Sequence, residues 1–473
     1  MWKNSKRLEI GLRQQSIGLA LRYQKAEKNF QIALRAHQTG NINRAVKYYS
    51  KAIKINPENP KYLNNMGVAY RALGQSIASI ACYYRSLSLA PSNSDVLTNL
   101  GNALREIGDL EKAKLFHEKS VLMDSENADA IYNLGLTLRD LGWPKEALGL
   151  FDRSRELDPR NSEYEWDRAL TLLLLGNLKE GFTEYECRWR LERNKVRRSD
   201  KPLWDGSRLE GKTILIHQEQ GFGDTIQFSR YIEKVGKAGG VVVVEVASPL
   251  LDLMSGVKGV DLVVDRNEVF TDFDYHIPML SLPNVFGTEL RTIPKNMPYI
   301  FAPKEKKYDL AKLSKNLFNI GFAWAGSPTH QNDKDRSCGI LPFISILELS
   351  GISLYSLQTG AAAKELSRHN LNNLVIDLGS DLKNFADTAL IVQELDLIIT
   401  VDTALAHLAG AMCKPVWVLL PYAPDWRWML ERNDSPWYQS MCLFRQPAPS
   451  DWNGAFCSIR NALREKVKQH IEF

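Results

Sequence analysis

The sequence predicts a helical solenoid over roughly its first 195 residues, followed by two α/β lobes with parallel sheets. Three observations predict it. Gly40, Gly74, Gly108, Gly142 and Gly176 recur at a spacing of 34 residues, the period of stacked helix–turn–helix units. From Leu209 onward the chain instead alternates short apolar runs with helical patterns, which implies parallel strands joined by crossover helices. That alternation comes in two series, opening at Thr213 and Asn319, with a Lys-rich segment of no strong pattern between them.

In chain order, residues 1–25 form a helical lead. Its Lys3, Lys6, Arg7, Arg13, Arg22 and Lys25 face only Glu9 and Glu27, a local excess that reads first as a solvated helix and second as a contact for an anionic surface. Five units follow at 26–59, 60–93, 94–127, 128–161 and 162–195. Their eighth position carries Ala33, Gly67, Gly101, Gly135 and Ala169, and their twentieth Ala45, Ser79, Ala113, Ala147 and Gly181. Small side chains at both places let the paired helices approach closely. The twenty-fourth position carries Tyr49, Tyr83, His117, Phe151 and Tyr185, the bulky plug between neighbours. Pro57, Pro91 and Pro159 end second helices. Over residues 26–195 the pattern resembles the tetratricopeptide repeat. The fifth unit lacks the final proline and adds Trp166 and Trp189, as suits a terminal unit packed on the next domain.

The sixth position reads Gln31, Asn65, Asn99, Asn133 and Asp167, on the first helix of each unit. A carboxamide both donates to and accepts from a peptide bond, so a ladder of Asn65, Asn99 and Asn133 suits an extended polypeptide. The nucleocytoplasmic O-GlcNAc transferases, which this architecture resembles, use such a ladder. Asn is also simply common at this repeat position.

The remaining boundaries are a first lobe at 196–303, a linker at 304–317, a second lobe at 318–446 and a C-terminal helix at 447–473. Strands are expected at 213–217, 241–246 and 260–264, then at 319–326, 352–358, 396–402 and 415–421. The last helix, Ile459–Ile471, is expected to cross back to the first lobe. Between the first strand and its helix stands Gly221-Phe222-Gly223-Asp224-Thr225. Backbone amides at such a helix start, Gly223 among them, favour an anion, and Asp224 falls at the cleft mouth. In the second lobe Asp402 ends a strand, Thr403 begins a helix and His407 follows one turn later. Amides, a hydroxyl and an imidazole then converge where a diphosphate fits.

Together PLWDGSRLEGKTILIHQEQGFGDTIQF, WAGSPTHQNDKDRS, TVDTALAHLAGAMCKPVWVLLP and DWRWMLERNDSPWYQS resemble glycosyltransferase family 9, the heptosyltransferases, over about 205–446. They resemble more closely bacterial proteins that fuse tetratricopeptide repeats to such a lobe pair. The resemblance implies a GT-B fold of two Rossmann-type domains and inverting transfer from a nucleotide sugar without an essential metal. It makes Asp224 the general base. Arg336 would neutralise the leaving diphosphate, with Asp402, Thr403 and His407 on the phosphates' other side. Gln358 stands where the family has a ribose-contacting acid, a departure that bears on the nucleotide. Each residue also has a plainer reading. Asp224 and Asp402 are good helix caps, His407 sits on an apolar helix, and Arg336 lies in the polar run Gln331–Ser337. Trp324 and Trp417 read as core. Trp426, Trp428 and Trp437 suit either sugar stacking or docking against the repeats.

A net charge of +5, with 44% hydrophobic and 24% charged residues, does not mark a nucleic-acid binder. The six cysteines form no CxxC and no zinc or disulfide framework. Reduced, mostly buried thiols, no secretory signal and no long apolar stretch make a cytoplasmic, non-transmembrane protein the expectation. No metal or other cofactor is expected beyond the nucleotide-sugar substrate. Three functions compete: transfer to a polypeptide held by the repeats (flagellin-type modification being one case), transfer to a glycan or lipid-linked acceptor, and a non-catalytic adaptor.

Overall fold

The computed structural model describes residues 2–191, 200–304, 313–314, 316–330 and 332–471, with the backbone alone for 2–17 and 471. The last residues of the fifth repeat, the first of the first lobe and most of the expected linker fall outside the described residues. The chain divides into two compact units, Met1–Asp167 and Arg168–Phe473.

In the first unit, helices pair as the 34-residue period requires: Trp2–Gln38 with Ile42–Ile55, Pro60–Ala72 with Ser76–Leu89, Ser94–Glu106 with Leu110–Met123, and Ala128–Asp140 with Pro144–Leu157. The expected lead at 1–25 does not stand apart, because Trp2–Gln38 is one unbroken helix. Asn59, Asn93 and Asn127 cap first helices by accepting from backbone N–H groups, the usual gain of about 1 kcal/mol each. Gly74, Gly108 and Gly142 follow the first helices at φ of +71°, +81° and +84°, where only glycine is at ease. The small eighth position meets the plug directly. A Cβ on Gly67 would come within 2.5 Å of the Tyr83 ring, and one on Gly101 within 2.3 Å of His117. Ion pairs Arg71–Glu106 (2.7 Å) and Arg105–Asp140 (2.6 Å) tie successive repeats.

His117 is the odd plug. Its fully buried ring lies 2.9 Å from Thr137 Oγ1 and 3.3 Å from the Thr98 carbonyl. Burial pushes its pKa down to about 4 from 6.5, against the Thr98 hydrogen bond. The unfolded chain therefore binds the proton more tightly. Stability from this group is complete above pH 6.5 and drains away as pH falls towards 4, by up to roughly 3 kcal/mol. Thermal unfolding should show this loss in the native chain. It should be largely absent from His117→Phe, which installs the ring that Phe151 provides one repeat on.

The second unit starts inside the fifth repeat. Helix Leu178–Tyr185 and the turn Glu186–Arg190 pack on the lobes. The first sheet contains β1 (Thr213–His217), β2 (Val241–Val246), β3 (Leu262–Asp265) and β4 (Tyr275–Pro278), all parallel, in the order β3-β2-β1-β4. The second contains β5 (Phe318–Ala323), β6 (Ile352–Ser356), β7 (Ile376–Asp377), β8 (Leu397–Val401), β9 (Val416–Leu420) and β10 (Met441–Arg445). These too are parallel, in the order β10-β9-β8-β5-β6-β7.

Two expectations are corrected. The C-terminal helix, Trp452–Ile471, does not cross back to the first lobe. Its Phe456, Ile459, Leu463 and Val467 are spaced as one helix face, and they join the second lobe's core with Phe318, Phe322 and Phe343. The thiols are not mostly buried: Cys413, Cys442 and Cys457 are exposed, Cys82 and Cys338 half-buried, and only Cys187 buried. Two of the exposed three lie on a strand or helix whose other face makes the contacts. The tryptophans Trp324 and Trp417 are core, as expected.

Candidate functional site

Sheet order locates the site before any side chain does. In the second sheet the chain runs outward from β5 through β6 to β7, then returns to the other side of β5 for β8, β9 and β10. The turning point lies between β5 and β8, and the crevice beyond the strand ends at such a point is where α/β sheets bind ligands. The loop after β5 carries Arg336, and the loop after β8 carries Asp402 and Thr403. In the first lobe, the loop after β1 leads to helix Phe222–Phe228 and Asp224.

Asp224 does what an acid at a helix start does: its Oδ2 accepts from the Gly221 N–H at 2.9 Å. Its Oδ1 crosses to the second lobe and pairs with Arg427. Arg427 is buried, and each of its three nitrogens donates a hydrogen bond. It donates to Gln227 Oε1 at 2.7 Å and to Asp425 Oδ1 at 2.9 Å, and its guanidinium lies 4.4 Å from the Trp426 ring centre.

His407 faces the same helix. A Cβ on Gly223 would come within 2.7 Å of its ring and 3.5 Å of the Ala404 backbone. Gly223 is thus required for close packing of the two helix starts. The imidazole is buried, 2.9 Å from Tyr438 Oη and stacked on Trp428. Burial, then the charges of Arg427, Arg230 and Arg336, hold it well below the usual histidine range, so it stays neutral. Asp402 Oδ1 stands 4.0 Å from His407 Nε2. Burial, reinforced by Asp425, pushes the Asp402 carboxyl up to about 6. Thr403 begins helix Ala404–Ala411, its hydroxyl 3.1 Å from that of Thr400. Arg336 pairs loosely with Asp333 at 3.4 Å and lies over Gly326, where a Cβ would collide with its guanidinium. The fold therefore gathers Asp224, Arg336, Asp402 and His407 into one charged neighbourhood.

Gln358 is different. It does end a strand, but its carboxamide is spent on the backbone. Oε1 accepts from Trp324 N and Ala325 N at 3.0 and 2.9 Å, and Nε2 donates to the carbonyls of Ala325 and Thr359 at 3.1 Å each. It staples two strand-end loops together, and the ribose contact expected of it has no hydrogen-bonding capacity left.

Sequence reasoning missed Arg427, Asp425 and Gln227. The only local signal was an arginine between two tryptophans. The tryptophans themselves are buried. Phe182, on the last repeat helix, meets Trp426, Phe228 and Trp437 edge-on at 5.6, 6.2 and 6.5 Å. Docking against the repeat is thus what Trp426 and Trp437 do.

In the repeat unit, Asn65 and Asn133 each donate one N–H to the carbonyl four residues back, at 2.9 and 2.7 Å, and Asn99 donates to Asn64 at 3.1 Å. All three are half-exposed, and each amide has a second N–H and an acceptor oxygen. Asp167 departs from the column, paired with Arg139 at 2.7 Å. Among the described residues, no three His, Cys, Asp or Glu side chains are grouped to hold a metal, and no helix is long and apolar enough to cross a membrane.

Family models match residues 34–74 as a TPR repeat, and 60–93 and 82–114 as tetratricopeptide repeats, so the N-terminal region carries these repeats. The chain is 25% identical over 323 residues to Protein FlbA of Caulobacter vibrioides, covering 60% of this chain and 52% of FlbA. That is more of the chain than the repeats occupy, so the likeness reaches the lobes. A 56-residue stretch is 39% identical to photosystem I assembly protein Ycf3 of Cyanophora paradoxa, 12% of this chain and 32% of Ycf3. The chain spans about half or less of the length of these curated relatives. Among solved structures, MamA of Desulfovibrio magneticus is 22% identical, covering 36% of this chain and 96% of MamA at a TM-score of 0.33. YrrB, described as a TPR protein with an unusual peptide-binding site, is 18% identical, covering 35% and 84% at a TM-score of 0.30.

Proposed function

We propose that the chain is a cytoplasmic glycosyltransferase that moves a sugar from a nucleotide donor to a polypeptide hydroxyl, by inversion and without a metal. One observation carries this reading. A first-lobe carboxylate, Asp224, faces across the seam the strand-end loops of a sheet whose turning point lies between Arg336 and Asp402. An alcohol acceptor needs a base, which Asp224 supplies. A departing nucleoside diphosphate needs positive charge, which Arg336, the Thr403 hydroxyl and the start of helix Ala404–Ala411 supply. Neutral His407 adds no charge and can offer an N–H only in the fitting tautomer. Asp402, its carboxyl pushed up by burial, repels an anion less than an ordinary aspartate would. Asn65, Asn99 and Asn133 hold the polypeptide.

A non-catalytic adaptor is the second reading, favoured by the backbone-bound Gln358 and by the ion pair already on Asp224. The experiment incubates the purified chain with a panel of nucleoside-diphosphate sugars, following nucleotide release and thermal shift. It then weighs co-expressed acceptor proteins by intact mass. Release with one donor, and a mass increment on an acceptor, are the expected results. No response to any donor would favour the adaptor. Asn→Ala changes at 65, 99 and 133 should cut turnover on a protein acceptor and spare a glycan or lipid-linked one.

A further inference from the structure

We infer that Arg427 is the positioning residue of Asp224: a guanidinium fixed on the second lobe that aims the first-lobe carboxylate and sets where the two lobes meet. The inference rests on the transferase reading and adds a residue to it.

The geometry has three parts. Arg427 is immobilised from its own lobe by Asp425 at 2.9 Å and by the Trp426 ring at 4.4 Å. It reaches the first lobe twice on one helix, at Asp224 and at Gln227, residues one turn apart on the same face. Two donors from one rigid, planar group then dictate both the rotation of that helix and the plane of the carboxylate. The seam is doubled by a reciprocal arginine. Arg230 of the first lobe donates to the Trp437 carbonyl of the second at 2.7 Å, ringed by Tyr299, Tyr438 and Trp437. Among the described residues Arg230 bonds neutral groups there, and the charged contact that reaches the base belongs to Arg427. Among the described residues each Asp224 oxygen accepts one hydrogen bond of the two it can take.

The charged and titratable groups around Asp224 come from every neighbouring element. They are Arg427 and Asp425 from the Trp-rich segment, His330 and Arg336 from the loop after β5, His407 and Asp402 from the loop and helix after β8, and Tyr185 from the last repeat helix.

The test compares wild type with Arg427→Gln, Arg427→Lys and Asp425→Asn by the kcat and KM of donor turnover, with thermal melts of each. Arg427→Gln should lower kcat about tenfold or more through lost orientation, with donor KM moved less than about threefold. Arg427→Lys keeps the charge but loses the fork, so it should not restore kcat. Asp425→Asn loosens the guanidinium from its own lobe and should lower kcat less than Arg427→Gln, again with KM little moved. Turnover that falls only in proportion to the melted fraction in all three would reduce Arg427 to a structural brace and overturn the inference. A double-mutant cycle of Asp224→Asn and Arg427→Gln on thermal unfolding separates this failure from that of the underlying reading. If no donor turns over in wild type, the transferase reading fails. A coupling in the cycle still supports the pairing of Arg427 with Asp224, and additive effects overturn it.

Discussion

Arg188→Leu is expected to cost about 3–5 kcal/mol, enough to leave the chain partly unfolded at 37 °C. Arg188 is fully buried in the turn that ends the last repeat. It pairs in two places with Glu219, at 2.9 and 3.0 Å, and donates to Ser281 at 2.7 Å and to Glu186 at 2.8 Å. Glu219 also accepts from the Leu280 N–H at 3.0 Å. Burial already pushes the Glu219 carboxyl up despite the arginine beside it. Without Arg188 that carboxyl has no cation among the described residues, and it must keep a proton or drag in water. The sign of the pH effect follows. A folded carboxyl raised above its unfolded value of 4.5 gives stability that is complete below that value and lost as pH rises through the raised one. Melts of the variant should therefore come closest to wild type in acid and separate from it as pH rises. Arg188→Leu combined with Glu219→Leu should regain much of the loss, since no charge is then stranded. A single variant as stable as wild type at pH 7.5 would show that the pair contributes nothing net. The pair also matters to the site, because Glu219 lies five residues before Asp224 in the same loop and helix start.

Asp224→Asn is expected to lower turnover by about 10²–10⁴-fold, the range for losing a general base, while the chain stays folded. The exchange is nearly isosteric but not neutral. In the native chain two oxygens accept from two donors, Gly221 N and Arg427 Nη2. An amide offers one oxygen, so one donor must face an NH₂ group. Arg427 keeps Asp425 and Gln227, which limits the stability cost to about 1.5–3 kcal/mol, that of a charged hydrogen bond. Nucleotide release at saturating donor measures the first effect and a thermal melt the second. Unchanged release with an intact melt would remove Asp224 from the chemistry.

The legible parts of this chain are those with a local cause. The Gly74–Gly108–Gly142 spacing predicted the turns because a left-handed residue after each first helix is a steric need of the backbone itself. Tyr83 and Phe151 were readable as plugs because glycines 16 positions earlier make room for them. β1, β2, β8 and β9 announced themselves as buried apolar runs. β4, β7 and β10 did not: β7 has two residues and β4 four, too few for periodicity to show, and β10 follows a Trp-rich stretch without strand punctuation. At the site, Asp224, Arg336, Asp402, Thr403 and His407 were legible as residue types at the ends of strands and starts of helices. Arg427 was not, because its partner lies 203 residues away in sequence. The partners of Gln358 were not legible either, since two backbone amides beyond β5 claim its oxygen.

Sequence alone determined the repeat period, the two strand–helix series and the kinds of charged group each loop would carry. Those properties arise from sterics and burial within a few residues of each other. Tertiary structure alone decided that Arg427 meets Asp224, that Gly223 makes room for His407, that Phe182 seats among three distant aromatic rings, and that the last helix stays with the second lobe. Ion pairing and hydrogen-bond capacity are properties of groups brought within about 3 Å, and no local pattern records which distant segment will supply the other half.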